Sequence, residues 1–147
     1  MSLKDTLMED LKSAMKEKDV VRKNAVQMVR SSVLQYEKDH KAVLDDQGII
    51  EVIAKEVKKR RDVLPDYEKS GRQDLIDELN REIQVLTAYL PRQLTEEELE
   101  ALVADAIRET GASSMKDIGK VMAAVMPQTK GRADGKAINR IVKEHLS

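Results

Sequence analysis

The chain has 147 residues and a net charge of −1, with 36% charged and 41% hydrophobic residues. It contains no Cys, which excludes disulfides, thiolate nucleophiles, iron–sulfur clusters and cysteine-ligated zinc. Its longest uncharged stretches have nine residues, whereas a helix that spans a bilayer needs about 20 apolar residues. The first residues also lack the basic-then-apolar layout of a secretory signal. We therefore expect a soluble, cytoplasmic protein with no membrane partner.

Apolar residues recur three and four positions apart along almost the whole chain, which is typical of amphipathic helices. Residues 1–91 are predicted to form an N-terminal domain of four helices. Ser2 and Asp19 are the expected N-caps of the first two, and Gly71 is expected to end the third in a left-handed turn. The apolar stripes of the four helices are Leu3, Leu7, Leu11, Ala14 and Met15; Val21, Ala25, Val29, Val33 and Tyr36; Ile50, Ile53, Val57 and Leu64; and Leu75, Leu79, Ile83, Leu86 and Leu90.

Pro65 interrupts the pattern of the third helix. It lacks the N–H that would bond the carbonyl of Arg61, and its ring clashes with the preceding turn. The helix either bends there and continues, which we favour, or it ends and a turn begins. Pro91 is expected to end the fourth helix.

Residues 92–147 are predicted to form a smaller C-terminal domain of three helices, which makes the fold class all-α. Thr95 and Glu98 match a capping box, in which each side chain bonds the other residue's free backbone N–H. Gly111 is expected to end the fifth helix. Ser114 and Pro127 are expected to begin and end a short helix, and Asp134 is expected to cap the last helix.

Charge is segregated within this C-terminal domain although the total is near zero. Residues 95–115 hold six acids and one arginine, whereas residues 116–143 hold seven cations and two acids. Three of these cations fall on one side of the last helix, opposite its apolar stripe. A solvated basic face is the usual explanation of such a strip, but this one continues from the glycine loop and from Lys116 and Lys120, so that phosphate groups become credible partners. The candidate nucleic-acid-binding residues are Lys116, Lys120, Lys130, Gly131, Arg132, Lys136, Arg140 and Lys143.

A second basic cluster lies on the third helix. Lys55, Lys58 and Lys59 are expected to face outward. Arg60 and Arg61 flank the apolar stripe instead, and we expect these arginines to clamp local carboxylates or carbonyls.

Gly131 and Gly135 precede the last helix, where backbone N–H groups and the helix dipole attract anions. The alternative is an ordinary loop in which Asp134 caps the helix. The segment does not match a P-loop, because three residues separate the glycines and Ala137 replaces Ser/Thr. With three Tyr and no Phe or Trp, stacking on unpaired bases is limited, which favours recognition of folded, A-form-like RNA by shape and phosphate.

Catalytic constellations are missing from the sequence. Only His40 and His145 are present, no Gly-x-Ser-x-Gly elbow occurs, and no metal or cofactor is expected. His145 is predicted to pack beside the apolar residues of the last helix. Met115, Met122 and Met126 share a helix face that either fills the core, the reading we favour, or offers an adaptable partner surface.

Five segments together resemble the pattern of the GatB/YqeY family, and the resemblance extends over nearly the whole chain. They are Lys58–Asp62, Gly71–Leu75, Tyr89–Leu99, Gly119–Met122 and Lys130–Gly135. Members of this family are small, all-helical, cytosolic proteins related to the tail domain of the B subunit of the tRNA-dependent glutamine amidotransferase. That tail resembles a tRNA-contacting module. It carries a Gly-x-x-Met and a Lys-Gly-x-Ala signature similar to those of this chain.

The resemblance implies a non-catalytic, tRNA-binding-like accessory module. Its expected partners are tRNA and an amidotransferase or aminoacyl-tRNA synthetase. One alternative is a protein-interaction module that uses the methionine face or the acidic Glu96–Glu100 region. A carbon–nitrogen ligase with glutamine as amido-nitrogen donor is implied by family association only, because no segment resembles the amidotransferase active sites.

Overall fold

The computed structural model describes residues 2–147, which form seven α-helices and one 3-10 turn and contain no strand. The predicted all-α fold class is therefore confirmed. In chain order the elements are α1 (Leu3–Glu17), α2 (Val20–His40), α3 (Asp46–Ser70), α4 (Gln73–Thr87), α5 (Glu96–Thr110), the 3-10 turn Met115–Asp117, α6 (Ile118–Thr129) and α7 (Gly135–Leu146).

The chain divides into two compact units. Met1–Leu90, here called the N-terminal unit, contains α1 to α4, and Pro91–Ser147, the C-terminal unit, contains α5 to α7. Each unit has a hydrophobic core of its own. Within residues 2–147, none of the helices combines the length and the apolar composition that crossing a bilayer requires.

Local sequence signals explain most helix ends. The Ser2 hydroxyl accepts from the Asp5 N–H at 3.1 Å and caps α1, and Asp19 caps α2 in the same way. Gly71 and Gly111 follow α3 and α5 with φ of 72° and 69°, a left-handed conformation that glycine adopts without steric strain. These predicted caps and stops are confirmed.

Two prolines lie inside helices. Helix α3 continues through Pro65 to Ser70, so the alternative in which it ends there is wrong. The prediction that Pro127 ends α6 is also wrong, because α6 continues to Thr129. The Thr129 hydroxyl donates to the Met126 carbonyl at 3.3 Å, one of the carbonyls that a helix end leaves without a backbone partner.

The core of the N-terminal unit follows the predicted stripes in large part, with some exceptions. Ile49, at 1% exposure, takes the position expected of Ile50, while Met15 and Tyr36 are 58% and 41% exposed. The buried residues of this core are Leu7, Leu11, Ala25, Val26, Val29, Val33, Ile49, Ile53, Val57 and Leu86. A helical wheel predicts the side that packs but not how far the neighbouring helices cover it, which explains the exceptions.

A buried ion cluster joins α3 to α4 in the N-terminal unit. Arg60, 8% exposed, donates from Nη1 to both the carbonyl and the carboxylate of Glu56 at 3.0 Å, and from Nε to Glu82 Oε2 at 3.2 Å. The expectation that Arg60 clamps carboxylates and carbonyls is confirmed. The cluster holds the two helices in one register, because sliding either helix would leave a buried charge without its ion-pair partner and without water.

A second polar contact ties the last turn of this unit to its first helix. The Tyr89 hydroxyl donates to Asp10 Oδ2 at 2.5 Å, and Arg22 lies 3.4 Å from the other oxygen of that carboxylate. Burial and the hydrogen bond to the Asp10 carboxylate raise the pKa of Tyr89 above its usual value. The phenol therefore stays protonated and remains a donor at neutral pH.

The C-terminal unit packs its three helices around a smaller core. Its buried hydrophobic residues are Leu99, Val103, Ala106, Val121, Val125, Ile138, Ile141, Val142 and Leu146. The Thr95–Glu98 capping box at the start of α5 is confirmed, since both reciprocal bonds are present.

Candidate nucleic-acid interface

Helix α7 positions three of the predicted site residues on its exposed side. Lys136, Arg140 and Lys143 are four and three residues apart, a spacing that brings them to one helix face. The other face of α7 holds Ile138, Ile141, Val142 and Leu146 in the core. The basic strip therefore exists because packing the apolar residues directs the cations to solvent.

Carboxylates already engage the middle cation of this strip. Arg140 donates from Nη2 to Glu96 on α5 and from Nη1 to Glu144 Oε1 at 3.3 Å. These bonds, above all the one to Glu96, raise the pKa of the Arg140 guanidinium. An incoming phosphate has to compete with both carboxylates for Arg140.

The glycine turn before α7 is packed in part: residues 131–134 are half-buried, whereas Gly135 is exposed. Gly131 is half-buried with φ of 71°, and its carbonyl accepts from the Gln93 amide at 2.8 Å. The carbonyl of Arg132 accepts from the Leu94 N–H at 2.8 Å. Segment 92–94 thus covers one side of the turn.

The N-terminus of α7 follows the capped alternative. Asp134 Oδ1 accepts from the Lys136 N–H at 3.2 Å, so the chain's own carboxylate occupies a position where an anion would bind. Arg132 is half-buried, and its Nε donates to the Arg92 carbonyl at 3.3 Å. Lys130 and Lys136 are exposed, and each already interacts with another residue.

The two remaining lysines of this candidate interface precede and begin α6. Lys116 lies in the 3-10 turn and is exposed. The ammonium of Lys120, on the first turn of α6, is 4.0 Å from Asp117 Oδ1 and its side chain is 69% exposed. Both side chains are accessible to a ligand.

Arg92 and Gln93 were not among the predicted site residues, although both shape the interface. Arg92 makes two parallel hydrogen bonds, of 2.8 and 2.6 Å, to the Glu98 carboxylate. Together with the Thr95 N–H, this pair lowers the pKa of Glu98 to about 2. The sequence signal was the capping box itself, because its glutamate is held within reach of a cation just upstream.

The secondary basic cluster, Lys55, Lys58 and Lys59, is exposed on α3 of the N-terminal unit. Lys59 lies 3.2 Å from the buried Glu56 carboxylate, so it contributes to the ion cluster beneath it. Lys55 and Lys58 present their ammonium groups to solvent on the same helix. These residues belong to the other unit and form a patch of their own.

The histidines and methionines differ in part from expectation. His145 is exposed, so the prediction of a packed histidine is wrong; its neighbours Ile141, Val142 and Leu146 cover the core without it. Met122 packs against the core, but Met115 and Met126 are 41% and 46% exposed and do not fill it.

The described residues offer no nucleophile–base pair around a histidine. His40 is within 3.0 Å of the Tyr36 carbonyl and stacks on the Tyr36 ring, which is a local helix-end contact. No group of three or more acidic or histidine side chains within residues 2–147 is arranged to hold a metal ion.

These features define a small all-helical protein of two units, in which the C-terminal unit carries a basic helix face beside an acidic helix. The family model for the Yqey-like protein matches residues 4–146. The chain therefore belongs to the YqeY-like family, as its resemblance to GatB/YqeY proteins indicated.

Fungal relatives extend this assignment. The chain is 27% identical over 141 residues to "Altered inheritance of mitochondria protein 41, mitochondrial" of Pyrenophora tritici-repentis, covering 94% of this chain and 77% of that protein. The proteins of the same name in Candida glabrata and Kluyveromyces lactis are 33% and 36% identical over 58% and 56% of this chain. The matches span 48% and 45% of those two proteins, about half of their length.

The names of these relatives bear on cellular location. All three are named mitochondrial proteins. The expectation of a cytoplasmic location is therefore wrong by this comparison. The expectation rested on the layout of the first residues, which gives no positive evidence for the cytoplasm.

Proposed function

We propose that the C-terminal unit contacts phosphate groups of folded RNA, with tRNA as the expected ligand, and that the protein acts as a non-catalytic accessory module. The observation that carries the proposal is the basic face of α7, where Lys136, Arg140 and Lys143 lie opposite the core residues. Lys116 and Lys120 supply two further exposed cations from the same unit. Cations of this kind bind phosphate backbones and make affinity depend on salt.

The expected partners follow from the family resemblance. An accessory module of this type would work beside an enzyme that also handles tRNA, such as an amidotransferase or an aminoacyl-tRNA synthetase. The absence of aromatic residues from the C-terminal unit favours folded RNA over unpaired strands, because unpaired bases bind largely by stacking on aromatic rings.

The salt dependence of tRNA affinity tests this proposal. Filter binding of the full chain to total tRNA at several salt concentrations should give a steep loss of affinity with salt. Lys136→Gln and Lys143→Gln should each reduce the slope of log affinity against log salt by about one. Lys12→Gln, which removes an exposed cation from α1, is the matched control and should leave the slope unchanged.

Two results would reject RNA binding. One is an affinity for tRNA that is undetectable or independent of salt. The other is an equal loss of slope in Lys12→Gln and in the α7 variants, since that would indicate a diffuse charge effect rather than a defined face.

The exposed methionines favour a second candidate, a protein-interaction module. Met115 and Met126 are half-exposed although both are large apolar residues, and methionine adapts to varied partner surfaces. A pull-down after nuclease treatment should then recover one defined protein, and Met126→Glu should abolish its recovery. Loss of every partner on nuclease treatment favours RNA binding instead.

A carbon–nitrogen ligase activity is the third alternative, and it is supported by family association only. Purified protein incubated with glutamine provides its test, because the glutaminase step releases ammonia. We expect no ammonia above a blank.

A further inference from the structure

A small pocket lies between the first three helices of the N-terminal unit. Its volume is about 60 Å³. It is lined by Lys4, Leu7, Arg30, Val33, Leu34 and Ile49. The residues come from the first turns of α1, the second half of α2 and the first turn of α3, so that no single helix could form it.

The pocket has an apolar floor and an exposed apolar rim. Leu7 and Ile49 are each 1% exposed and Val33 is 3% exposed, which makes the floor part of the packed core. Leu34 stands at the rim with 60% of its surface exposed. A rigid floor beside an exposed leucine is the arrangement in which one apolar anchor of a partner gains most from burial.

Two cations line the mouth of the pocket, and only one of them, Lys4, has an ion-pair partner among residues 2–147. Lys4 Nζ lies 2.8 Å from Glu37 Oε2, and the same carboxylate oxygen accepts from the Leu44 N–H at 2.7 Å. These bonds, led by the one to Lys4, lower the pKa of Glu37, so its charge is retained and offsets that of Lys4. Arg30 is half-buried and forms no hydrogen bond or ion pair with any residue from 2 to 147.

The size of the pocket selects the kind of occupant. One water-sized group needs about 10–15 Å³ of such volume, so 60 Å³ accommodates about four to six heavy atoms. This matches the four carbons of a leucine or isoleucine side chain, and it is far below the roughly 300–1,000 Å³ of sites for cofactors and drug-sized ligands. A shallower, more open cleft shares Lys4 and Ile49 and continues past Val43, which is 84% exposed.

We propose that this pocket docks a segment of a partner protein through one leucine or isoleucine side chain, with a neighbouring carboxylate of that segment on Arg30. The apolar floor takes the side chain and the open cleft gives the adjoining backbone a path. The Arg30 guanidinium, which has no partner among residues 2–147, supplies the charge preference. A half-buried guanidinium without a protein partner gains a charge-assisted hydrogen bond when a carboxylate arrives. The proposal is independent of RNA binding, because all of these residues lie in the N-terminal unit.

The experiment uses the full chain with ¹³C-labelled methyl groups and a panel of blocked octapeptides. Each peptide carries one leucine and one glutamate, separated by zero to three residues, in a glycine–serine background. At least one spacing should shift the methyl resonances of Leu7, Val33 and Ile49 with a millimolar dissociation constant. Replacing the glutamate of that peptide by glutamine, or its leucine by alanine, should weaken binding about fivefold to tenfold.

Two matched protein variants test whether Arg30 causes the preference for the glutamate peptide over the glutamine peptide. Arg30→Gln should bind the glutamate and glutamine peptides equally, while Arg61→Gln, the same change on α3, should keep the preference. Both arginines are half-buried, so the unperturbed remainder of the methyl spectrum serves as the check on folding.

Three outcomes would overturn the proposal. They are the absence of shifts at the pocket methyls with every peptide, an equal affinity of the wild-type chain for the glutamate and glutamine peptides, and tighter binding of free 4-methylpentanoate than of any peptide. The last result would reassign the pocket to a small aliphatic acid.

Discussion

In the N-terminal unit the Arg60 side chain is only 10% exposed between two carboxylates, whereas the Arg92 and Arg140 side chains of the C-terminal unit are 65% and 49% exposed in their ion pairs. The difference matters energetically. Removing one partner from a buried pair is strongly destabilising, because the other charge is left away from water, while exposed pairs contribute about 0–1 kcal/mol. The buried Arg60 cluster therefore maintains helix register in the first unit, whereas water can replace the exposed ion pairs of Arg92 and Arg140 in the second unit at little cost.

The largest expected change in stability comes from breaking the buried ion cluster around Arg60. Arg60→Met leaves Glu56 and Glu82 without their shared cation, and we expect the free energy of unfolding of the N-terminal unit to fall by about 3–5 kcal/mol. Urea unfolding followed by tyrosine fluorescence measures this unit alone, since all three tyrosines, Tyr36, Tyr67 and Tyr89, lie in it.

An exposed pair of the same unit provides the control for Arg60→Met. Arg72→Met removes the ion pair between Arg72 and Asp74, in which the two side chains are 61% and 67% exposed. We expect this variant to change the free energy of unfolding far less than Arg60→Met does, because water solvates both charges when the pair is broken. Equal losses in the two variants would contradict the distinction between buried and exposed charge.

The next effect concerns the half-buried Tyr89. Tyr89→Phe removes the hydrogen bond to the Asp10 carboxylate and should reduce the free energy of unfolding by about 1–2 kcal/mol at pH 7. The pKa of Tyr89 is raised in the folded state, so its contribution is complete below pH ~10 and is lost as pH rises further. Circular dichroism with urea should show the gap to wild type narrowing above that pH, and Tyr67→Phe should show neither effect.

A smaller change is expected at the exposed pair that opens the C-terminal unit. In the wild type, Arg92 helps to lower the pKa of Glu98 to about 2, so the stability from this charge is present above pH ~4.5 and lost as pH falls towards 2. In Arg92→Gln the pKa of Glu98 should rise towards its usual value but remain below it, because the Thr95 N–H still donates to the carboxylate.

Carbonyl ¹³C NMR titration of the Glu98 side chain measures this shift. Arg108→Gln, which removes a different arginine that pairs with Asp105 on α5, should leave the Glu98 titration unchanged. An unchanged titration in Arg92→Gln would show that the capping box alone lowers the pKa.

The smallest expected effect concerns the exposed ion pair between Arg140 and Glu96, which lies at the proposed RNA contact. Glu96→Gln releases Arg140 from one of its two carboxylates, and we expect tRNA affinity at low salt to rise about twofold to fivefold. The free energy of unfolding should stay close to that of the wild type, because both side chains of the pair are exposed. Glu97→Gln makes the same change of charge one residue away, and an equal rise in that variant would indicate general repulsion rather than competition for Arg140.

Local features of the fold could be predicted because their causes are local. The caps at Ser2, Asp19 and Thr95 each need one side chain and the next turn of backbone, and all are present. The burial of individual stripe residues could not be predicted as well. Met15 and His145 lie near apolar residues of their own helices, but no neighbouring helix covers them.

The candidate sites were predicted in part. The basic strip of α7 follows from helical spacing, which the sequence contains. The competition of Glu96 for Arg140 joins residues 44 positions apart, and the Arg30 pocket combines three helices, so both depend on tertiary packing. Spacing within one element cannot reveal contacts of this kind.

Asp134 closes the start of α7 with the chain's own carboxylate, and this has a consequence for selectivity. A rigid cradle of backbone N–H groups would recognise one anion geometry. In the proposed RNA complex that position is taken, so recognition would depend on long, flexible side chains that follow the local density of negative charge. Such contacts accommodate many backbone shapes, so we expect breadth across RNA species, with discrimination between them left to an associated enzyme.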